Sequence, residues 1–229
     1  MIDELEATYT VPLAVFDLVP VVLGFVGCLL LARLAARALP AVGLVALLGA
    51  VLIGLGGLAK AGWKILLTTA EVDLGSLEQS LFPLLSVGFV LLLWSLWSAI
   101  VGRPIVLWPF VLVLALGIVG ALAARTMTPL LGVAAGSALM VSGVAIRWAV
   151  RDRLPVAVVL YVLGMAASLG LAYLAGPKVA QTSSIQWVEE SLNTVGQLCF
   201  VIAAALLWRR GAPPHPSVTR TGAHSSVRA

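Results

Sequence analysis

A short acidic and amide-rich segment lies within an otherwise apolar part of the chain. Residues 187–200 read WVEESLNTVGQLCF and include Glu189, Glu190, Asn193 and Gln197. On a helix, Glu189, Asn193 and Gln197 recur every four residues and therefore share one face. Carboxylates accept hydrogen bonds or bind cations, and carboxamides both donate and accept hydrogen bonds. This spacing predicts a polar stripe suited to binding a small solute.

Other apolar segments contribute isolated polar residues. Asp17 lies some six residues into an apolar run, roughly 9 Å along a helix from its start. Lys60 lies near the end of the next run, where it is the expected ion-pair partner of Asp17. The predicted substrate-binding residues are Asp17, Glu78, Ser86, Glu189, Glu190, Asn193 and Gln197. Lys60 is added to them as the possible ion-pair partner of Asp17.

Each candidate also has a structural interpretation. The three glutamates are suited to cap helix N-termini, where the helix dipole favours anions. The two amides are suited to join helices by hydrogen bonds. Lys60 and Lys64 are long enough to reach the membrane surface. Asp17 lies too deep for a cap, so its structural alternative is a salt bridge to Lys60.

The composition indicates a helical membrane protein. The 229 residues are 61% hydrophobic and 10% charged, with a mean hydropathy of +1.10, whereas soluble domains carry about 25% charged residues. Uncharged runs near the ~20 residues that cross a bilayer as a helix recur along the chain. Lipid offers no partners to a bare backbone, and these runs do not alternate as barrel strands do. We therefore predict an all-α, polytopic membrane protein.

The apolar runs predict seven transmembrane helices between residues 11 and 210. Their expected bounds are about 11–34, 41–62, 79–101, 104–124, 128–148, 155–176 and 187–208. The acidic N-terminus, 1–10, has neither the basic region nor the cleavage site of a signal peptide. From the charge distribution described next, we expect it to lie outside the cell. The Pro/Ser-rich tail, 211–229, is expected to be disordered and cytoplasmic.

The distribution of basic residues predicts an N-out, C-in orientation in a bacterial cytoplasmic membrane. Up to residue 210, eight basic residues fall on the predicted inner side and four on the outer side, which follows the positive-inside rule. The formal charge of +4 therefore reports topology and does not indicate nucleic-acid binding. Arg outnumbers Lys eleven to three, which is typical of a GC-rich bacterial gene.

The sequence also contains an internal repeat. Residues 78–97, EQSLFPLLSVGFVLLLWSLW, align without a gap on residues 189–208, EESLNTVGQLCFVIAAALLW. Seven of the twenty positions are identical, against roughly two expected by chance in so Leu-rich a chain. This predicts a parallel repeat of about 11–101 and 128–208, joined by a connector helix at 104–124.

This 3+1+3 arrangement is similar in topology to the SWEET sugar transporters and to the nicotinamide riboside transporters. The resemblance implies a transporter with its site between the two repeats. The Pro-Gln signature of the wider PQ-loop group is absent, because span 1 reads Asp17-Leu-Val-Pro20 and span 5 reads Met127-Thr-Pro129.

The sequence argues against several enzyme classes. His215 and His224 both lie in the tail, so no span offers a histidine to haem, zinc or a Ser-His-Asp triad. Cys28 and Cys199 lie mid-membrane, and we expect them to pack as small apolar residues. We therefore expect a protein that is not an enzyme and binds neither metal nor cofactor. A weaker option is a membrane enzyme, which would need Glu78 to approach Glu189 or Glu190.

The leading interpretation is a transporter or solute-binding protein for a small polar or cationic solute. Clustered carboxylates suit a cation or a transported proton, so proton coupling belongs to this interpretation. The alternative is a non-catalytic scaffold or sensor subunit that binds a partner protein through its polar outer half. The expected partners are the lipid bilayer and this solute, and a partner protein or homo-oligomer fits the alternative; nucleic acid is not expected.

Overall fold

The computed structural model describes residues 11–70, 72–174 and 182–210. The predicted outer segment 1–10 and the predicted disordered tail 211–229 lie outside these ranges. Within them the chain is helical and contains no strand, which confirms the all-α prediction. The helices are α1 (Val11–Ala38), α2 (Gly43–Ala70), α3 (Gly75–Val101), α4 (Trp108–Ala124), α5 (Thr128–Arg151), α6 (Pro155–Leu174) and α7 (Ser183–Arg210).

Six of the helices in the described ranges are long and apolar enough to cross a membrane. They are α1, α2, α3, α5, α6 and α7, and each coincides with a predicted span. The prediction of a multi-pass membrane protein is therefore confirmed. The remaining predicted span corresponds to α4, an apolar helix of 17 residues that is shorter than the other six.

Proline and glycine residues explain several helix boundaries. Pro109 and Pro129 lie in the first turns of α4 and α5, and Pro155 is the first residue of α6. A first-turn proline is favourable because its missing N–H has no helical partner to lose. Gly102 ends α3 with a left-handed φ of 78°, a conformation that glycine adopts without steric cost.

The six long helices form a closed ring. Going round it, the neighbours are α1, α2, α3, α5, α6 and α7, and α7 packs back onto α1. Helix α4 lies outside the ring against α5. One end of the ring, which we call the acidic end, holds Asp17, Lys64 and Glu190. The opposite end, the arginine end, holds Arg37, whose guanidinium lies 4.3 Å from the centre of the Trp208 ring.

Helix α4 returns the chain along the outside of the bundle. It starts beside the last turns of α3, where the Trp94 indole N–H donates to the Ile105 carbonyl. Its own last turns pack against the start of α5, with Gly120 facing Pro129. Helix α5 therefore begins towards the acidic end and runs in the same direction as α3.

Glycines allow the closest helix approach in the ring, between α2 and α3. A Cβ atom at Gly49 would lie 2.7 Å from the Gly88 carbonyl oxygen, and one at Gly88 would lie 2.8 Å from the Gly49 carbonyl oxygen. Neither backbone can move aside without shifting its helix. Gly132 in α5 is different, since an added Cβ there would have no heavy atom within 4 Å.

We expect Gly49→Ala to destabilise the bundle and Gly132→Ala to leave it unchanged or slightly more stable. Overpacking at Gly49 should cost about 1–3 kcal/mol, whereas alanine at an open helical position gains up to ~1 kcal/mol of helix propensity. Thermal unfolding of the two variants in the same detergent measures the difference. A Gly49→Ala midpoint equal to that of Gly132→Ala would contradict the close packing of α2 on α3.

Candidate functional site

Three buried ionisable side chains meet at the acidic end, and we call them the ion triad. Lys64 Nζ lies 2.9 Å from Asp17 Oδ2 and 2.7 Å from Glu190 Oε1. Lys64 is 2% exposed, Asp17 is 5% exposed and Glu190 is 7% exposed. The ion triad therefore joins α2 to both α1 and α7 through charges that water does not screen.

A local irregularity positions Asp17. Helix α1 is interrupted at this residue, between the segments Val11–Phe16 and Leu18–Ala38. Pro20 follows three residues later and has no N–H to donate to the carbonyl of Phe16, so the helical hydrogen-bond ladder is broken here. The interruption lies at the level where the Asp17 carboxylate meets Lys64.

In the structure, the ion-pair partner of Asp17 is Lys64, and not Lys60 as the sequence had suggested. Helix α2 continues to Ala70, eight residues past the predicted end at 62, and this extension carries Lys64 into the bundle. Lys64 does not extend to the membrane surface, because it is 2% exposed. Lys60 lies one turn earlier and lines a cavity together with Asp17.

The ion triad places two carboxyl groups around one ammonium group. The Asp17 and Glu190 carboxyls are held near each other because both contact the same Lys64 ammonium group. The Lys64 Nζ contact to Asp17 Oδ2 is short but not aligned as a hydrogen bond, so it acts as an ion pair. Glu190 Oε2 is buried with no hydrogen-bond partner in the described part of the chain. This arrangement is suited to hold one proton between the two carboxyls.

A cavity of about 460 Å³ occupies the centre of the ring, and we call it the central cavity. All six ring helices contribute to its wall, which is mainly apolar. Its volume falls in the range of about 300–1,000 Å³ typical of small-molecule sites. Four residues of the predicted site line it, namely Asp17, Lys60, Asn193 and Gln197.

The two amides of the central cavity are not used to join helices. Neither Asn193 nor Gln197 makes a hydrogen bond to any residue that the structure describes. Gln197 instead lies against Gly24 of α1, where a Cβ atom would come within 2.9 Å of its Oε1. The amides can therefore bind a solute.

The remaining predicted residues lie outside the wall of the central cavity. Ser86 is fully buried, and its hydroxyl lies 2.7 Å from the Phe82 carbonyl oxygen and 2.8 Å from that of Leu130, which links α3 to α5. Glu78 lies in the first turn of α3, as a helix cap would. Glu189 and Glu190 do not cap α7, because this helix already begins at Ser183.

The sequence interpretation did not include Lys64 or Tyr161 in the site. Tyr161 lies six residues into α6, is 1% exposed and lines the central cavity. Its hydroxyl is buried with no hydrogen-bond partner among the described residues. A tyrosine in mid-span without a polar neighbour on its helix is the signal that points to it. No group of three or more His, Cys, Asp or Glu side chains suited to a metal comes together in the described ranges.

We expect Lys64→Met to destabilise the protein strongly. Removing one partner of a buried ion pair leaves uncompensated charge and costs about 3–5 kcal/mol. Lys60→Met is the matched control, because Lys60 has no ion pair within the described residues. The triple variant Asp17→Asn/Lys64→Met/Glu190→Gln should recover most of the loss, since it removes all three charges. Thermal unfolding that ranks Lys64→Met equal to Lys60→Met would rule out the ion triad.

The chain was also compared with known proteins. No family model matches it, and searches of curated proteins and of solved structures found no match either.

Proposed function

We propose that this membrane protein binds a small solute with polar groups in the central cavity and carries it across the bilayer. The observation that supports this most is the position of the central cavity. It lies inside a ring of six apolar helices and is lined by two amides without hydrogen-bond partners in the described chain. Apolar walls with a few convergent polar groups are characteristic of small-molecule sites.

The order of helices supports the predicted repeat. The contacts among α1, α2 and α3 have counterparts among α5, α6 and α7, and the contact of α3 with α5 has its counterpart in that of α7 with α1. Gly49 of α2 packs on α3, as Gly164 of α6 packs on α7. A two-fold axis along the bundle, as the proposed repeat requires, would relate these pairs. The central cavity then lies between two halves that can rock against each other, as alternating access requires.

We further propose that a proton is coupled to this movement. Asp17 lines the central cavity and also belongs to the ion triad, so it connects the solute site to the paired carboxyls. Lys64 balances one of the two carboxylates. The acidic end therefore carries less net negative charge than the sequence alone indicates, which makes it less attractive to a cationic solute. The carboxyl that Lys64 does not balance is better suited to take up a proton.

A scaffold is the second candidate, and one observation favours it. Asp17 and Glu190 are paired with Lys64 in the closed acidic end, as expected of structural groups. The unpaired amides and the central cavity have no such explanation. A membrane enzyme based on Glu78 with Glu189 or Glu190 has less support, because α3 and α7 are not neighbours in the ring.

We also propose that the acidic end faces outward in the cytoplasmic membrane of a bacterium. The arginine end would then face the cytoplasm. The support is the eight-to-four distribution of basic residues along the chain.

A thermal-shift screen of small polar and cationic solutes tests the proposed function. A solute that binds the folded protein stabilises it, by about 2.7 kcal/mol at a hundredfold excess over Kd. We expect a hit to raise the unfolding midpoint of the wild type and of Glu78→Gln, whose side chain lies outside the central cavity. The shift should be lost in Asn193→Ala/Gln197→Ala, which removes both cavity amides.

Uptake of the same solute into proteoliposomes then separates transport from binding. An inward pH gradient should increase the uptake by the wild type and should have no effect on Asp17→Asn. Unfolding midpoints that no solute shifts, together with early melting of the double amide variant, would show that the amides are structural and would favour the scaffold.

A further inference from the structure

The deep part of the central cavity contains a polar group that the proposed function does not use. The Tyr161 hydroxyl is buried without a hydrogen-bond partner among the described residues, although the residue lines the central cavity. A buried hydroxyl left unpaired is unfavourable, because it has lost its hydrogen bonds to water without replacing them. The Tyr161 ring meets Phe200 edge-on at 5.8 Å, and this contact fixes its position beside the cavity wall.

The central cavity is elongated along the bundle. Helix α1 lines it from Asp17 to Cys28 and α6 lines it from Tyr161 to Ala172. In each stretch the first and last residues are eleven positions apart, which corresponds to roughly 16 Å of helix. Because α6 enters from the arginine end, Tyr161 lies at the opposite end of the central cavity from Asp17.

Asn193 and Tyr161 lie towards the two ends of the central cavity, and Gln197 lies between them, against Gly24. Asn193 lies seven residues before Phe200, the neighbour of Tyr161, so the amide and the phenol are roughly 10 Å apart along the axis. Apolar side chains such as Phe25, Leu85 and Leu139 line the wall. The wall hydroxyls of Ser142 and Ser168 already donate to carbonyls of their own helices. A ligand therefore meets hydrogen-bonding groups at both ends, and between them a mainly apolar wall that also holds the Gln197 amide.

The charges on the wall favour a neutral ligand. Asp17 and Lys60 line the same end of the central cavity and carry opposite charges. With Glu190 and Lys64 of the ion triad included, this end holds two carboxylates and two ammonium groups, whose formal charges sum to zero. A net charge on the ligand would have no uncompensated partner on the wall, and it would lose its hydration in an apolar site.

We propose that the central cavity binds a neutral, elongated molecule with an apolar body and a hydrogen-bonding group at each end. One end group bonds to the amides of Asn193 and Gln197, and the other bonds to the Tyr161 hydroxyl. This proposal rests on the proposed function, since it names the ligand class of the same site. It narrows the small polar or cationic solute expected from the sequence to a neutral one.

Two isomeric probes test this ligand class. The first is an octane diol with a hydroxyl at each end, whose chain spans the distance from the amides to Tyr161. The second is the octane diol with both hydroxyls on adjacent carbons at one end. The isomers have the same atoms, so a difference between them reports the placement of the polar groups. The measurement is the shift of the unfolding midpoint in lipid nanodiscs as the diol is titrated.

The variants are Tyr161→Phe and the matched control Tyr173→Phe. Tyr173 belongs to the same helix, is 77% exposed and does not line the central cavity. We expect the two-ended diol to stabilise wild type and Tyr173→Phe, and to bind Tyr161→Phe about fivefold more weakly, as for one lost hydrogen bond. Without a diol, Tyr161→Phe should unfold at the wild-type midpoint or above it, because it removes an unpaired buried hydroxyl.

The remaining outcomes separate this proposal from the proposed function. If a small polar solute of the screen stabilises the wild type and neither diol does, the site stands and the ligand class is wrong. If both isomers act equally on all variants, they enter the membrane non-specifically and the ligand class is again wrong. If no solute and no diol shifts the wild type, both proposals fail.

Discussion

The contact of Lys64 with Asp17 and Glu190 is the interaction on which the acidic end of the bundle depends. An isolated charge in an apolar interior is strongly unfavourable, and Lys64 offsets that penalty for the two carboxylates as they offset it for Lys64. The three charges come from α1, α2 and α7, so none of these helices can adopt its position without the other two. The buried ion pair thus specifies which helices meet, even where its net contribution to the free energy of folding is small.

The ion triad makes the two contacts between the halves of the ring unequal. Helices α1 and α7 are joined at the acidic end through Lys64, and at the arginine end by Arg37, which donates a 3.3 Å hydrogen bond to the Trp208 carbonyl. Between α3 and α5, the polar contact in the described chain is the single hydrogen bond from Ser86 to Leu130. If the halves rock against each other, α3 and α5 can separate without breaking an ion pair of the ion triad. The α1–α7 contact can then open only when the ion triad rearranges.

The sequence predicted the membrane fold but only part of the candidate site, and there are physical reasons why the fold was easier to predict than the site. Long apolar runs predict spanning helices directly, because composition and helix length are local properties. Asn193 and Gln197 were predicted because their spacing puts them on one helical face. The choice between Lys60 and Lys64 was not predictable in this way, because it depends on how far α2 continues and on how it is rotated against α1. Tyr161 was missed because a tyrosine in mid-span is only a weak signal in the sequence, and its unpaired hydroxyl is recognisable only when its whole surroundings are known.

The shared position of Asp17 links the charge chemistry to the solute chemistry. Its carboxylate touches Lys64 on one side, and the residue lines the central cavity on the other. A solute that favours one orientation of Asp17 must change the stability of the Lys64–Glu190 contact, and by reciprocity the state of that contact must change solute affinity. A neutral solute cannot supply the charge needed to separate Lys64 from a carboxylate. A proton can, because protonating one carboxyl leaves the other to balance the lysine. An apolar cavity beside a buried ion triad is therefore consistent with the proposed neutral ligand and with the proposal that a proton, rather than the ligand's own charge, is coupled to its passage.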